Sequence, residues 1–142
     1  MPDQNFKNHT QFVPVFHYVT LPLLLLVIVG AVVNLVNSSQ QNLNTSILIF
    51  LLSIVTLLVS FFARIFALKA QDRAIKAEEN FRHFIATGKP LDKAMTTAQI
   101  VALRFAGNEE FVALAQKAVT ENMSSKEIKM AIQNWRGDYN RV

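Results

Sequence analysis

"FFARIFALKAQDRAIKAEENF", residues 61 to 81, passes from membrane-like apolar sequence into charged sequence with no glycine or proline between. An alanine recurs every three or four residues along it, at Ala63, Ala67, Ala70, Ala74 and Ala77. No helix breaker appears until Gly88 and Pro90, so the stretch reads as the middle of one helix from about Ser46 to about Thr87. Such a helix is about 60 Å long at about 1.5 Å per residue. Its first half belongs in lipid and its second half in water.

Upstream the same reading finds two segments of membrane length. "PVFHYVTLPLLLLVIVGAVVNLV", Pro14 to Val36, carries no formal charge, and "ILIFLLSIVTLLVSFFARIFAL", Ile47 to Leu68, carries only Arg64 near its end. Each suffices for a hydrocarbon core about 30 Å thick. A signal peptide is the competing reading of the first. Only Lys7 supplies a basic start, no A-x-A site follows and a second span comes directly after, so an anchor is preferred. The connector "NSSQQNLNT", residues 37 to 45, is short, polar and uncharged, as a turn between antiparallel helices should be. Its "NSS" and "NTS" strings carry no weight as glycosylation acceptors.

Orientation follows from basic residues, which stay on the cytoplasmic side. None lies in the connector, whereas Arg64, Lys69, Arg73 and Lys76 crowd the end of the second span. Both termini are expected in the cytoplasm. Phe12, Phe16, His17, Tyr18, Arg64 and Lys69 are the expected membrane-interface anchors. Pro22 removes a backbone donor from the first span and should kink it.

Beyond "TGKPLDKAM" the pattern changes to short helices with start signals. "TTAQ" (Thr96–Gln99) and "SSKE" (Ser124–Glu127) fit capping boxes, and "GNEEF" offers Gly107 as a stop and Asn108 as an N-cap. Helices are expected at about 97–106, 109–121 and 125–136. Ile100, Leu103, Phe111, Leu114, Ala118, Ile128, Ile132 and Trp135 would form a small core, leaning on Phe81, Phe84 and Ile85 of the long helix. The fold is therefore all-α: residues 1–13 an N-terminal segment, residues 14–68 a transmembrane hairpin, and residues 69–142 a cytoplasmic extension of the second helix followed by a small three-helix domain.

Alternating steps of three and four along the long helix select Ser46, Ile49, Ser53, Thr56, Ser60, Ala63, Ala67, Ala70, Ala74, Ala77, Phe81 and Phe84. Most are small, and small side chains let helix backbones approach closely. The matching stripe on the first span is Thr20, Leu23, Val27, Gly30, Asn34 and Asn37. Gly30 is expected beside Ser53, Asn34 turned toward protein near Leu48, and Tyr18 level with Arg64. Asp72 with Lys76 and Glu78 with Arg82 are spaced for helical ion pairs. The alanines beyond Ala67 need another cover, either the C-terminal helices or a second copy of the chain.

Chemistry is sparse. There is no cysteine, no glycine-rich phosphate loop, no nucleophile elbow and no metal-like spacing around His9 or His83. No catalysis and no cofactor are expected. Arg64 reads as a snorkelling cation rather than a transport residue, and His17 as a packing residue rather than a relay or haem ligand. The last two helices resemble a helix-turn-helix reader, but from Lys69 onward 12 basic side chains face 9 acidic ones, and that surplus suits anionic lipid as well as nucleic acid. The preferred role is a scaffold, adaptor or accessory subunit in a bacterial inner membrane, with lipid, other membrane subunits or a second copy as partners. A membrane-tethered nucleic-acid-binding regulator and a small transporter subunit are the alternatives.

Four blocks carry a family likeness: "NHTQFVPVFHYV" (Asn8–Val19), "ARIFALKAQDRAIKAEE" (Ala63–Glu79), "AQIVALRFAGNEEF" (Ala98–Phe111) and "IKMAIQNWRGDYNRV" (Ile128–Val142). With them the chain resembles a family of small bacterial membrane proteins classed as a domain of unknown function. The resemblance implies a two-span membrane protein and brings no substrate or functional residue. The chain departs from it at "ENFRHFIATGKPLDKAM", where more leucine and arginine and no "TGKP" turn are expected.

Overall fold

The computed structural model describes residues 4–10 and 12–139; residues 1–3 and 11 of the expected N-terminal segment, and residues 140–142, lie outside that description. The described residues form two compact units, one of residues 12–67 and one of residues 4–10 with 68–139. Regular structure among them is helical, with a single isolated antiparallel bridge between Ala106 and Trp135.

In the first unit a π-helical turn, Val15–Thr20, runs into α1 (Leu21–Val36), and α2 (Leu43–Thr87) follows after the short connector. Proline at 22 has no N–H to offer, which leaves the backbone one donor short. The chain absorbs the loss by widening just ahead of it. The Leu21 N–H reaches five residues back to the Phe16 carbonyl, and the Thr20 hydroxyl donates to Val15 at 3.1 Å. A π turn is one of the few ways a helix accommodates such a mismatch.

Helix α2 runs unbroken for 45 residues, as its lack of glycine and proline requires. It stops where Gly88 takes φ +72°, a left-handed conformation that glycine adopts without penalty, and the Gly88 N–H closes on the Phe84 carbonyl at 2.8 Å. His83 secures the turn by donating from Nδ1 to the Lys89 carbonyl at 2.8 Å.

The second unit holds α3 (Thr97–Leu103), α4 (Asn108–Thr120) and α5 (Ser125–Ala131), with α3 packed on both others. Both capping boxes are present. Every expected core residue is buried or partly buried, and Phe105, Ala102, Ala106, Leu91, Met95 and Ala115 complete the core. Three boundaries differ from expectation. Helix α3 ends at Leu103 rather than near residue 106. Gly107, not Asn108, is the N-cap of α4, because the Asn108 carboxamide oxygen is taken by Arg82. Helix α5 ends at Ala131 rather than near residue 136, because the Glu110 carboxylate accepts the N–H groups of Gln133 (3.0 Å) and Asn134 (2.9 Å) and pulls the chain into an extended path.

The N-terminal segment packs on this unit, which no local pattern announces. Gln4 exchanges two hydrogen bonds with the backbone of Asp138, at 3.1 and 2.9 Å. His9 sits against Phe6, Phe105 and Trp135, and its Nε2 lies 3.3 Å from the Lys129 ammonium.

Candidate functional site

Within the hairpin, the buried side of α2 runs through Ser46, Phe50, Ser53, Leu57, Ser60, Arg64 and Ala67. Every seventh position of the expected seam is therefore on it, and the positions between lie one residue further along. Ile49, Thr56 and Ala63 are exposed. The side of α1 turned inward is Leu21, Leu24, Ile28, Ala31 and Leu35, again one residue past the expected stripe. The reason is volume. On these inward sides the large Phe50, Leu57, Leu24 and Leu35 alternate with the small Ser46, Ser53 and Ala31, and such alternation packs better than small against small.

Two expectations for α1 are corrected accordingly. Gly30 is exposed, with open space where a Cβ would point, so it is not the close neighbour of Ser53. Asn34 is exposed too and is not turned toward protein, while Asn37 at the helix end donates from Nδ2 to the Val33 carbonyl of α1 at 2.8 Å. The hydroxyls of Ser53, Thr56 and Ser60 are satisfied within α2 itself, by the carbonyls of Phe50, Leu52 and Thr56. They cost nothing in an apolar medium.

At the other end of the hairpin the Arg64 guanidinium lies over the Phe16 ring, 5.8 Å from its centroid. That places Arg64 level with Phe16 and His17, close to the level expected for Tyr18. His17 stands between the rings of Phe12 and Phe16, with Nδ1 2.9 Å from the Val13 carbonyl oxygen. It is held inside its own turn. Tyr18 and Lys69 are exposed.

In the second unit α2 turns Ile75, Glu79 and His83 toward the small helices, four residues apart. The expected contact through Phe81, Phe84 and Ile85 is not made: these are 63%, 51% and 70% exposed. Arg82 explains the choice. Its guanidinium donates to the Ala106 carbonyl (2.7 Å), to Asn108 Oδ1 (2.7 and 3.0 Å) and to Glu79 (3.0 Å), and it lies 4.1 Å from the centroid of Phe111. The edge facing α2 thus presents carbonyl and carboxamide oxygens, which a guanidinium satisfies and a phenyl ring does not. The ion pair on α2 is Glu79–Arg82 rather than Glu78–Arg82, and no Asp72–Lys76 pair forms among the described residues.

Ala70, Ala74 and Ala77 are exposed with Phe81, Phe84 and Ile85. At about 100° per residue these six fall on one side of α2, opposite Glu79. The small helices leave that side uncovered.

Both long helices are apolar enough to cross a bilayer, and only 11% of the most apolar window of each is buried inside the chain. Within the chain those windows are largely exposed. The class so defined is an all-helical protein with two candidate membrane spans and a small helical unit. The chain belongs to a family of unknown function (DUF6526), whose model matches residues 1–142. No curated protein and no solved structure matches it.

Proposed function

We propose that this is a non-enzymatic integral membrane protein that acts as a scaffold or accessory subunit by binding a second helix along the exposed side of α2, the first candidate being a second copy of the chain. The carrying observation is that side itself: Ala70, Ala74, Ala77, Phe81 and Phe84 follow coiled-coil spacing and stand uncovered opposite the face that holds the small helices. Large apolar side chains grouped on a surface mark interaction sites. The slim alanines permit close approach and the phenylalanines supply area.

The membrane is the inner membrane of a bacterium, with both termini in the cytoplasm. Support comes from the basic residues after the second span and from Gln4 bonding to Asp138, which brings the two ends of the described chain together. A nucleic-acid-binding role gains little. Helix α5 is only seven residues long, and its Lys129 is turned to His9 and the Phe105 ring. A transport role through Arg64 and His17 is weakened by the local contacts of both.

The chain has no native cysteine, so single thiols report contacts cleanly. Ala70→Cys and Ala77→Cys are expected to give disulfide-linked dimers in oxidised membranes, while Lys69→Cys and Lys76→Cys, on the flank of α2, give few. Equal yields from both pairs would refute a defined face.

A further inference from the structure

A cleft of about 510 Å³ opens beside α2 in the second unit, where the chain returns through Pro90 and Leu91. Its volume falls in the range of small-molecule sites, about 300–1,000 Å³. The floor is apolar, made by Leu91, Met95 and Ile100, all buried. The rim is basic: Arg73, Lys76 and Lys93 line it, all three are exposed, and none is in an ion pair among the described residues. One carboxylate, Asp92, shares the rim, and its Oδ1 is occupied by the Ala94 N–H at 2.8 Å. Asn80 adds a carboxamide, whose oxygen accepts from the Leu91 N–H at 2.9 Å and whose nitrogen is left to donate.

Three cations against one carboxylate, above an apolar floor, select an anion with an apolar body. We propose that this cleft binds an anionic phospholipid, its phosphate held by Arg73, Lys76 and Lys93 and its first acyl methylenes laid on Leu91 and Met95. The inference rests on the membrane reading above. Arg73 and Lys76 follow Leu68 by five and eight residues of the same helix, about 8 and 12 Å along its axis. The headgroup layer is about 5–7 Å deep on each side of the hydrocarbon, so both side chains extend back to phosphate level. Arg73 also matches phosphate through two parallel N–H bonds, which a carboxylate-paired arginine does not offer.

The test uses the full chain in neutral detergent, titrated with dioctanoyl phosphatidylglycerol and dioctanoyl phosphatidylcholine, with bound lipid counted by native mass spectrometry. Phosphatidylglycerol is expected to bind more tightly. The variant R73Q/K76Q/K93Q should lose that preference, by about fivefold per basic side chain and about a hundredfold together. Unchanged Trp135 fluorescence would show that the variant is folded. Equal affinity for the two lipids, or full affinity in the variant, would overturn the proposal. Inorganic phosphate bound as tightly as lipid would leave the floor without a role, and octanoate bound as tightly would make the ligand a free fatty acid; either overturns it. Alkaline extraction of native membranes separates the two readings. Release of the wild-type chain would sink the membrane reading while leaving the lipid preference to stand or fall by the titration.

Discussion

Arg82→Met tests how α2 is fastened to the small helices. The substitution keeps an unbranched apolar stem over Phe111 and removes every hydrogen bond of the guanidinium, those to Ala106, Asn108 and Glu79. The Glu79 side chain is only 6% exposed, so its carboxylate is left buried with Arg136, 3.7 Å away, as its remaining ion-pair partner. Breaking a buried charge pair from one side costs about 3–5 kcal/mol. Arg82 retains 14% side-chain exposure and Arg136 compensates in part, which points to the lower end, about 3 kcal/mol. Trp135 is the chain's one tryptophan and packs on Phe105 at 5.2 Å, so its fluorescence reports on this unit alone. In urea the midpoint should fall by about 2 M for a unit of this size. Adding Glu79→Met removes the stranded carboxylate and should restore about 1–2 kcal/mol. A single-variant loss below about 1 kcal/mol, or a double variant weaker than the sum of the two singles, would show that the network does not hold the helix.

Gly107→Ala should destabilise the same unit by about 1–3 kcal/mol in the same titration. A Cβ there would stand 2.9 Å from the Asn134 carbonyl oxygen, which cannot withdraw because it accepts the Gly107 N–H at 2.8 Å; the backbone angles, φ −60° and ψ 160°, suit any residue, so the cost is purely steric. For pH, the Glu127 carboxylate is held below its usual 4.5 by hydrogen bonding from the Ser124 side chain and then from the Ser124 backbone N–H. A carboxylate depressed on folding contributes stability that is full above the unfolded value, about 4.5, and is lost as pH falls through the lower folded value. Glu127→Gln should therefore flatten the acid limb of the Trp135 unfolding profile below pH about 4.5 and leave the slope of its neutral region unchanged.

The helices were legible because their signals are local. A run without glycine or proline gave α2, two four-residue capping boxes gave the starts of α3 and α5, and Gly88 gave a stop. What the chain concealed depends on partners distant in sequence. Glu110 ends α5 by taking N–H groups 23 and 24 residues away, and Arg82 claims the Asn108 side chain 26 residues on, so a sound local N-cap signal was overruled by a cation. The seam shows the same limit. Its period was readable from spacing, but its phase depended on which large side chains the facing helix could house, and Phe50 and Leu57 decided that against Ile49 and Thr56. One signal for the domain-facing side was present and misread: Glu79, Arg82 and His83 interrupt an apolar series, and polar groups with geometry to satisfy a backbone edge face inward as readily as phenylalanine does.

That misreading bears on why the opposite side of α2 is apolar at all. A helix that leans on a domain by one face needs polar residues on the other, and the flanks comply, with Arg73, Lys76 and Glu78 all exposed. Alanine at 70, 74 and 77 is cheap to leave in water and is a good helix former, so by itself it would require no partner. Phenylalanine at 81 and 84 and isoleucine at 85 are neither. Their aromatic and β-branched side chains lower helix propensity and expose area that water disfavours, and the core they were expected to join is closed by Ile75, Glu79 and His83 instead. With the intramolecular explanation removed, these three large apolar residues are left as the area that the proposed partner helix would cover. The alanines, leading up to them at the same spacing, would set how closely the backbone of that proposed partner could approach.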